Sequence, residues 1–565
     1  MGYFCPEDTP REVLDRVCAL APGGWDRVWA EDGPLAVSKL RLVGVYDDRQ
    51  DGYFMLRLRI PGGRLRWQQA ETIGRLAAEL ARKPSPDLEG RDGFLELTTR
   101  QDVQLHWIRF EALPVIWQRL AAVGLGSLQA CGDTARNVTG CAVAGVDRDE
   151  VFDTSPVVEQ VDRFLLANPR LSSFLPRKFK IAITGCSTDC VLARINDLAF
   201  TPARREGRLG FHLWAGGGLS DYPRLASNLD LFVLPEQVPE VVSACLRLFA
   251  DLDDPVHKAV NRFRAVVAEL GVPRIREELC RRLPFALPPG GEDLSTWQAC
   301  DHAGIHLQHA EGRLERVYAG LTVPVGRMAG SELVEAARLA RAYGDGGLRL
   351  TQRQSLILTG IQPARLAQLL TEPLLARLRP EPDPFERAVV ACTSAPFCKF
   401  GLFNVKEHGD RLARYLRAAM PPAAASRLQG LRLHLSGCKA ACAQIHVGHI
   451  GLRATLGKDE DRYYEAFDVA AGGAPGSGRL ARWVAHEVPL AAAFRGIAGL
   501  LKAYTAESPA GETLDAYLAR LPDGRLAAFF RPDGEAAGAS PAAASSGPAH
   551  LAGAAEANRL AGGTE

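Results

Sequence analysis

The chain has no apolar run of the roughly 18 residues that a membrane-spanning helix needs, so no spanning segment is expected. Its first residues, Met1 to Arg11, carry acids and prolines in place of a basic stretch followed by an apolar core. A secretory leader is therefore not expected, and a cytoplasmic setting with reduced thiols is. An excess of either charge is also missing: 67 basic and 66 acidic side chains leave a net charge of +1. That excludes an electrostatic case for nucleic acid or a membrane surface as partner, so any cationic site must be local. The 13 cysteines are odd in number and sparse over 565 residues, which excludes a disulfide scaffold and leaves metal ligands or core thiols. No Gly-x-Gly-x-x-Gly turn stands in a βαβ context, so electrons for any redox chemistry would come from a separate protein.

What the chain does have is an internal repeat. YFMLRLRIPGG, from Tyr53, is followed by an apolar-periodic helix and then by LELTTRQDVQLHWI over Leu95 to Ile108. In the second half YAGLTVPVGR, from Tyr318, is followed by a helix and then by LRLTQRQSLILTGI over Leu348 to Ile361. Each unit closes with a further helix, at Glu111–Val123 and Pro363–Leu378. A third pair of blocks extends the match: KFKIAITGCSTDCVLARINDLAF from Lys178, and LRLHLSGCKAACAQIHVGHIGL from Leu431. Both read as a strand, a Gly-Cys turn with a Cys-x3-Cys pair, and another strand. The expected fold is α+β, duplicated with pseudo-twofold symmetry.

The expected domains are an N-terminal segment (1–35), a first ferredoxin-like half-domain (36–125) and a first α/β domain (126–286). A linker (287–312) rich in turn formers leads to a second half-domain (313–385) and a second α/β domain (386–531). The Ala-, Gly-, Ser- and Pro-rich tail (532–565) reads as disordered. An active site is expected where the halves meet.

Four cysteines stand out: Cys392-x5-Cys398 and Cys438-x3-Cys442. Four thiolates from two loops suit a cubane cluster, one per iron. Zinc prefers Cys-x2-Cys or Cys-x4-Cys hairpins, which these spacings fit poorly, and buried unliganded thiols are the bland alternative. Cys186 and Cys190, with Cys141 upstream, could bind something as three thiols, but a structural or vestigial role is expected.

The pattern CTSAPFCKF…HLSGCKAACAQ resembles the cluster signature of the siroheme-dependent sulfite and nitrite reductases, over roughly residues 36 to 530. The resemblance implies siroheme and a [4Fe–4S] cluster held by Cys392, Cys398, Cys438 and Cys442, with Cys442 also bridging to the siroheme iron. It implies that Arg57, Arg136, Lys178 and Lys180 face the substrate, and that Arg100, Gln101 and His106 contact the macrocycle or its water network. Arginine suits a bidentate grip on an oxyanion and lysine a point charge that can also deliver protons. Taken singly, these cations would also suit an exposed sheet face, and His106 a satisfied core position. Gly216, Gly217 and Gly218 could cradle siroheme carboxylates.

Two departures bear on the cluster's potential: Lys439-Ala440 where the family has Pro-Asn, and Asn404 where it has Glu. The activity implied is six-electron reduction of sulfite or nitrite, with electrons from ferredoxin or another separate donor. Lys180, and a Tyr46–Cys131 pair matching a covalent link in some sulfite-reducing members, point to sulfite. CTSAPFC and CAQIHV point to nitrite, and the balance leans slightly to sulfite. A cobalamin-pathway precorrin-3B synthase and a non-catalytic iron–sulfur carrier are the alternatives. Absence of siroheme from the purified protein would favour either.

Overall fold

The structure, a computed structural model, describes residues 3–82, 93–251, 262–309, 315–460 and 462–531. The tail expected to be disordered lies outside the described residues.

Two five-stranded antiparallel sheets come from the half-domain repeats, and each borrows an edge strand from the other half. The first runs in the order Val45–Asp47, Tyr53–Arg57, Val103–Arg109, Phe94–Leu97 and then Arg327–Ala329. The second runs Gly304–Leu307, Val317–Leu321, Leu356–Ile361, Gly347–Leu350 and then Arg64–Arg66. The exchange is reciprocal: Arg327 pairs with Glu96, and Arg64 with Arg349. One apolar core serves both sheets, with Leu56, Leu105, Leu348 and Leu358 all fully buried in it. Alternation along each strand sends these residues inward.

Helices Trp67–Leu80 and Gly330–Tyr343 cross against each other at Gly74 and Gly330. A Cβ on Gly74 would lie 2.6 Å from the Gly330 carbonyl oxygen, and one on Gly330 would lie 2.4 Å from that of Gly74. Neither position has room for a side chain.

The other two sheets share one topology. Thr139–Gly140, Ile181–Ile183 and Leu198–Arg205 are joined in parallel, then Arg208–Ala215 and Ser227–Val233 follow antiparallel. In the second half Val389–Ala391, Leu433–Ser436 and Ile450–Asp459 are parallel, then Arg462–Ala471 and Arg482–Pro489 are antiparallel. In each sheet the first two strands run directly into cysteine-bearing loops.

Within the segment 287–312, expected as a linker, the described residues form two strands. Glu292–Asp293 pairs with Leu198–Arg205, and Gly304–Leu307 with Val317–Leu321. Among the described residues no helix is long and apolar enough to cross a membrane.

Candidate active site

Cys392 follows the strand Val389–Ala391, and Cys438 and Cys442 follow Leu433–Ser436. Cys392, Cys398 and Cys438 are half-buried and Cys442 is exposed. Burial and the neighbouring Cys442 thiol push the Cys392 thiol well up, while burial takes Cys438 to about 11. Such crowding suits thiolates only when a cation shares them. Backbone amides point at the sulfurs: Gly437 N–H donates to Cys392 Sγ at 3.2 Å, and the chain at Phe400, Gly401 and Ala440 does the same for Cys398 and Cys438. A four-thiolate group ringed by N–H donors fits an iron–sulfur cluster. Asn404, the departure noted above, caps the helix Val405–Ala419 by accepting from Glu407 N–H.

The first half faces Cys442. Thr99 Oγ1 donates to the Cys442 carbonyl oxygen at 3.0 Å, and the charges of Arg57 and Lys178 both feel its thiol. Around this point Arg57, Arg100, Arg136, Lys178 and Lys180 come together from four segments. Arg57 donates to Gln104 Oε1 at 3.1 Å and reaches Cys131 Sγ at 3.4 Å. Arg136 donates to the carbonyl oxygens of Gly132 (2.9 Å) and Ala130 (3.2 Å). Arg100 donates to Asn196 Oδ1 and the Asn137 carbonyl oxygen, at 3.0 and 2.6 Å, and leaves its Nε buried without a partner.

Lys178 is lowered to about 8 by burial and by Arg136. Lys180 is held well below the ordinary lysine value, by burial and then by Arg100, Arg262 and Lys178. None of these five cations has an ion pair with a carboxylate among the described residues. Asp102 and Asp197 offset part of this charge at longer range, and the rest is costly to bury, so the space suits an anionic occupant such as a macrocycle bearing carboxylates.

Other expected residues play supporting parts. Gln101 spends its amide on the protein: Nε2 donates to the carbonyl oxygens of Gly62, Gly140 and Leu350, and Oε1 accepts from Gly140 N–H. His106 is buried between carboxylates, with Nδ1 3.5 Å from Asp48 and Nε2 3.7 Å from Glu96. Its ring stacks on Phe397 of the cysteine loop at 4.0 Å between centroids. Burial opposes its protonation, but Asp48 and Glu96 outweigh that and raise it. Glu96 also accepts from Thr393 Oγ1 at 2.5 Å, so this network holds the cysteine loop to the first half.

Tyr46 accepts from Gly132 N–H at 3.4 Å, its ring lies 6.0 Å from the Arg57 guanidinium, and Cys131 is buried beside that same guanidinium. The glycine run does not offer its amides to a ligand. Gly216, Gly217 and Gly218 donate to the carbonyl oxygens of Asp197, Asn196 and Arg224. Two cations missed in the sequence lie there instead: Arg262, paired with Asp197 at 2.9 Å, and Arg264 close against Gly218. Both follow residues 252–261, where no motif marks them.

The second half repeats the arrangement. Arg136 stands five residues before Cys141, and Arg387 five before Cys392; Lys180 stands six before Cys186, and Arg432 six before Cys438. Arg100–Gln101 corresponds to Arg353–Gln354, and Gln354 locks to Leu97 and Ala391 as Gln101 does to Leu350 and Gly140. Arg353, Arg387 and Arg432 line a cavity of about 140 Å³ with Asp301, Cys190 and Cys300.

Comparison with known proteins gives the same assignment. The family described as "Nitrite and sulphite reductase 4Fe-4S domain" matches residues 131–287. "Nitrite/Sulfite reductase ferredoxin-like half domain" matches 46–123 and 310–376. The chain is 37% identical over 522 residues to an assimilatory ferredoxin-dependent nitrite reductase of Haloferax mediterranei, covering 89% of this chain and 88% of that one. It is 36% identical to the ferredoxin–nitrite reductase of Synechococcus elongatus, over 82% of this chain and 88% of that one. Among solved structures, the Mycobacterium tuberculosis NirA protein superimposes with a TM-score of 0.84 at 28% identity, covering 92% and 95% of the two chains. The slight lean to sulfite finds no support in the names of these relatives.

Proposed function

The chain belongs to the nitrite and sulfite reductase family, and from that premise we propose that it reduces nitrite to ammonium with electrons from ferredoxin. Siroheme and a [4Fe–4S] cluster are its cofactors, and when bound they supply the ligand site for the anion and the path for its electrons. Cys392, Cys398, Cys438 and Cys442 hold the cluster in this reading, with Cys442 turned to the siroheme. The observation that carries it is the meeting of Cys442 with a set of cations that form no ion pair with a carboxylate among the described residues.

The protein's part is charge and protons. Arg57 and Arg136, fixed by the Ala130 carbonyl oxygen that both share, neutralise the anion's oxygens. Lys178, at about 8, is protonated at neutral pH yet able to give its proton up, which suits a donor to departing oxygen. Nitrite takes six electrons and eight protons to give ammonium and two waters. Phe400 (77% exposed) and Lys439 (75% side-chain exposed) flank the cysteine loops and offer a docking face for ferredoxin.

Sulfite is the second reading, favoured by Lys180 and by Tyr46 and Cys131 sharing the Arg57 guanidinium. The test is turnover of nitrite and sulfite by the holoenzyme with reduced ferredoxin. A higher kcat/KM for nitrite supports the proposal. A clear sulfite preference overturns it in favour of the second reading.

A further inference from the structure

Cys141, Cys186, Cys190 and His302 form a group separate from the four cysteines of the candidate active site. Cys141 follows the strand Thr139–Gly140, and Cys186 and Cys190 follow Ile181–Ile183. His302 arrives from the segment that crosses between the halves. Their ligand atoms all lie within 4.8 Å of one another. Cys141 Sγ is 3.6 Å and Cys186 Sγ 3.9 Å from His302 Nε2. Cys141, Cys186 and His302 are buried, and Cys190 is half-buried.

We propose that these four residues bind one tetrahedral zinc ion.

The spacing decides between one ion and a cluster. Bonds of about 2.3 Å to sulfur and 2.0 Å to nitrogen at tetrahedral angles put ligand atoms roughly 3.5–3.8 Å apart. The Cys141–imidazole distance of 3.6 Å falls in that range and the Cys186 distance of 3.9 Å lies just above it. A cubane spreads its thiolates over four irons, and Cys392, Cys398, Cys438 and Cys442 are correspondingly not gathered within 4.8 Å. The donor set then selects the metal. Three thiolates and an imidazole suit zinc and exclude magnesium and calcium, which take oxygen. Binding releases the three thiol protons to solvent. A disulfide would use two of the three thiols and leave the histidine unexplained.

The outer shell is that of a metal-bound histidine. His302 Nδ1 lies 3.4 Å from the Tyr318 hydroxyl and 3.6 Å from Asp147 Oδ2, and Tyr318 donates to that carboxylate at 3.3 Å. With its proton donated to Asp147, the Tyr318 hydroxyl can accept from Nδ1–H, which favours the tautomer that presents the Nε2 lone pair to the sulfurs. Thr188 Oγ1, 3.2 Å from Cys186 Sγ, adds a donor to one thiolate.

The ion would act as a clamp. The crossing segment already lies along the loop of the Cys-x3-Cys pair, with Thr296 N–H donating to Ser187 and Asp189 N–H to Gln298, both at 2.7 Å. Zinc would fix that crossing at its end, next to the strand Val317–Leu321 that opens the second half-domain.

The test is metal and acid-labile sulfide analysis of the holoenzyme. The expected result is one zinc per chain, with iron and sulfide at the totals of one siroheme and one cluster. His302→Cys should keep the zinc, His302→Ala should lose it, and Asp147→Asn should weaken it about 10–100-fold. All three should keep the siroheme absorbance. A wild-type chain without stoichiometric zinc, whether it carries no extra metal or surplus iron and sulfide, overturns the proposal. So does zinc retained in full by a His302→Ala, Cys190→Ser double variant.

Discussion

Beside Cys442, the cations Arg57, Arg100, Arg136, Lys178 and Lys180 have no carboxylate of their own among the described residues. In the twofold-related cavity the corresponding arginines do. Arg387 pairs with Asp301 at 2.8 Å, Arg353 approaches the same carboxylate at 4.0 Å, and Arg432 pairs with Asp515 at 2.7 Å. A duplicated framework has thus kept its cations in both halves and changed their partners. Where carboxylates are built in, the positive charge is spent within the protein. Where carboxylates such as Asp102 and Asp197 stand beyond ion-pair distance, more of it remains available to an anionic cofactor and an anionic substrate. That availability costs stability in the cofactor-free chain, because buried charge without a partner is unfavourable.

The cysteines divide the same way, and exchanging one from each set is the strongest way to break the comparison. Cys438→Ser should abolish nitrite turnover and the cluster's absorbance, a loss of at least 1,000-fold, because electrons then have no route. Cys186→Ser should leave turnover per siroheme within about twofold, since the group around His302 lies outside the candidate active site. The check is steady-state turnover beside the visible spectrum of each variant. Equal losses in both would end the distinction between the two centres.

The duplication was legible because strand alternation and the Gly-Cys turns recur in the same order, and the cysteine set was legible from its spacing. The cations near Cys442 were legible through the resemblance to the siroheme-dependent reductases, because each one taken singly would also suit an exposed sheet face. What decides their charge state was not legible. Asp301 and Asp515 come from a connecting segment and from a C-terminal helix, and nothing local in the sequence links them to Arg387 or Arg432. Gln101 shows the same limit: beside a cationic residue it reads as a ligand group, and its amide hydrogen-bonds backbone from both halves. His302 went unread because residues 287–312 carry turn formers, and a lone histidine there has no periodicity to mark it. Contacts between distant segments are set by packing, which a single sequence records only indirectly.

Removing a built-in carboxylate should be the next largest effect. Asp301→Asn leaves Arg353 and Arg387 without their counter-charge, at an expected cost of about 3–5 kcal/mol to unfolding free energy. Chemical denaturation measures it, and a loss under about 1 kcal/mol would mean that the cavity is wet enough to screen its arginines. The helix crossing should be less sensitive. Gly74→Ala forces a Cβ against the Gly330 carbonyl oxygen, and the backbone shift should cost about 1–3 kcal/mol. Because the crossing joins the two halves, its melting transition should remain single. Separate transitions would show that the halves fold independently.

The smallest effect has the opposite sign and tests the cost of unpaired charge directly. Lys180 is pushed well below the ordinary lysine value of 10.5 by burial, then by Arg100, Arg262 and Lys178. Between its folded and unfolded values the unfolded chain holds one proton more than the folded chain. Stability of the cofactor-free protein must therefore rise with pH across that window and level off near 10.5. Lys180→Met removes the charge and keeps most of the apolar stem. It should raise the melting temperature of the cofactor-free protein at neutral pH, by the equivalent of about 1 kcal/mol, and flatten the rise with pH. In the holoenzyme the gain should vanish, because the cofactor's carboxylates then supply the missing counter-charge, and turnover should fall. A Lys180→Met chain that is less stable without cofactor at neutral pH would show that its ammonium is already paired, and the contrast between the two centres would lose its electrostatic basis.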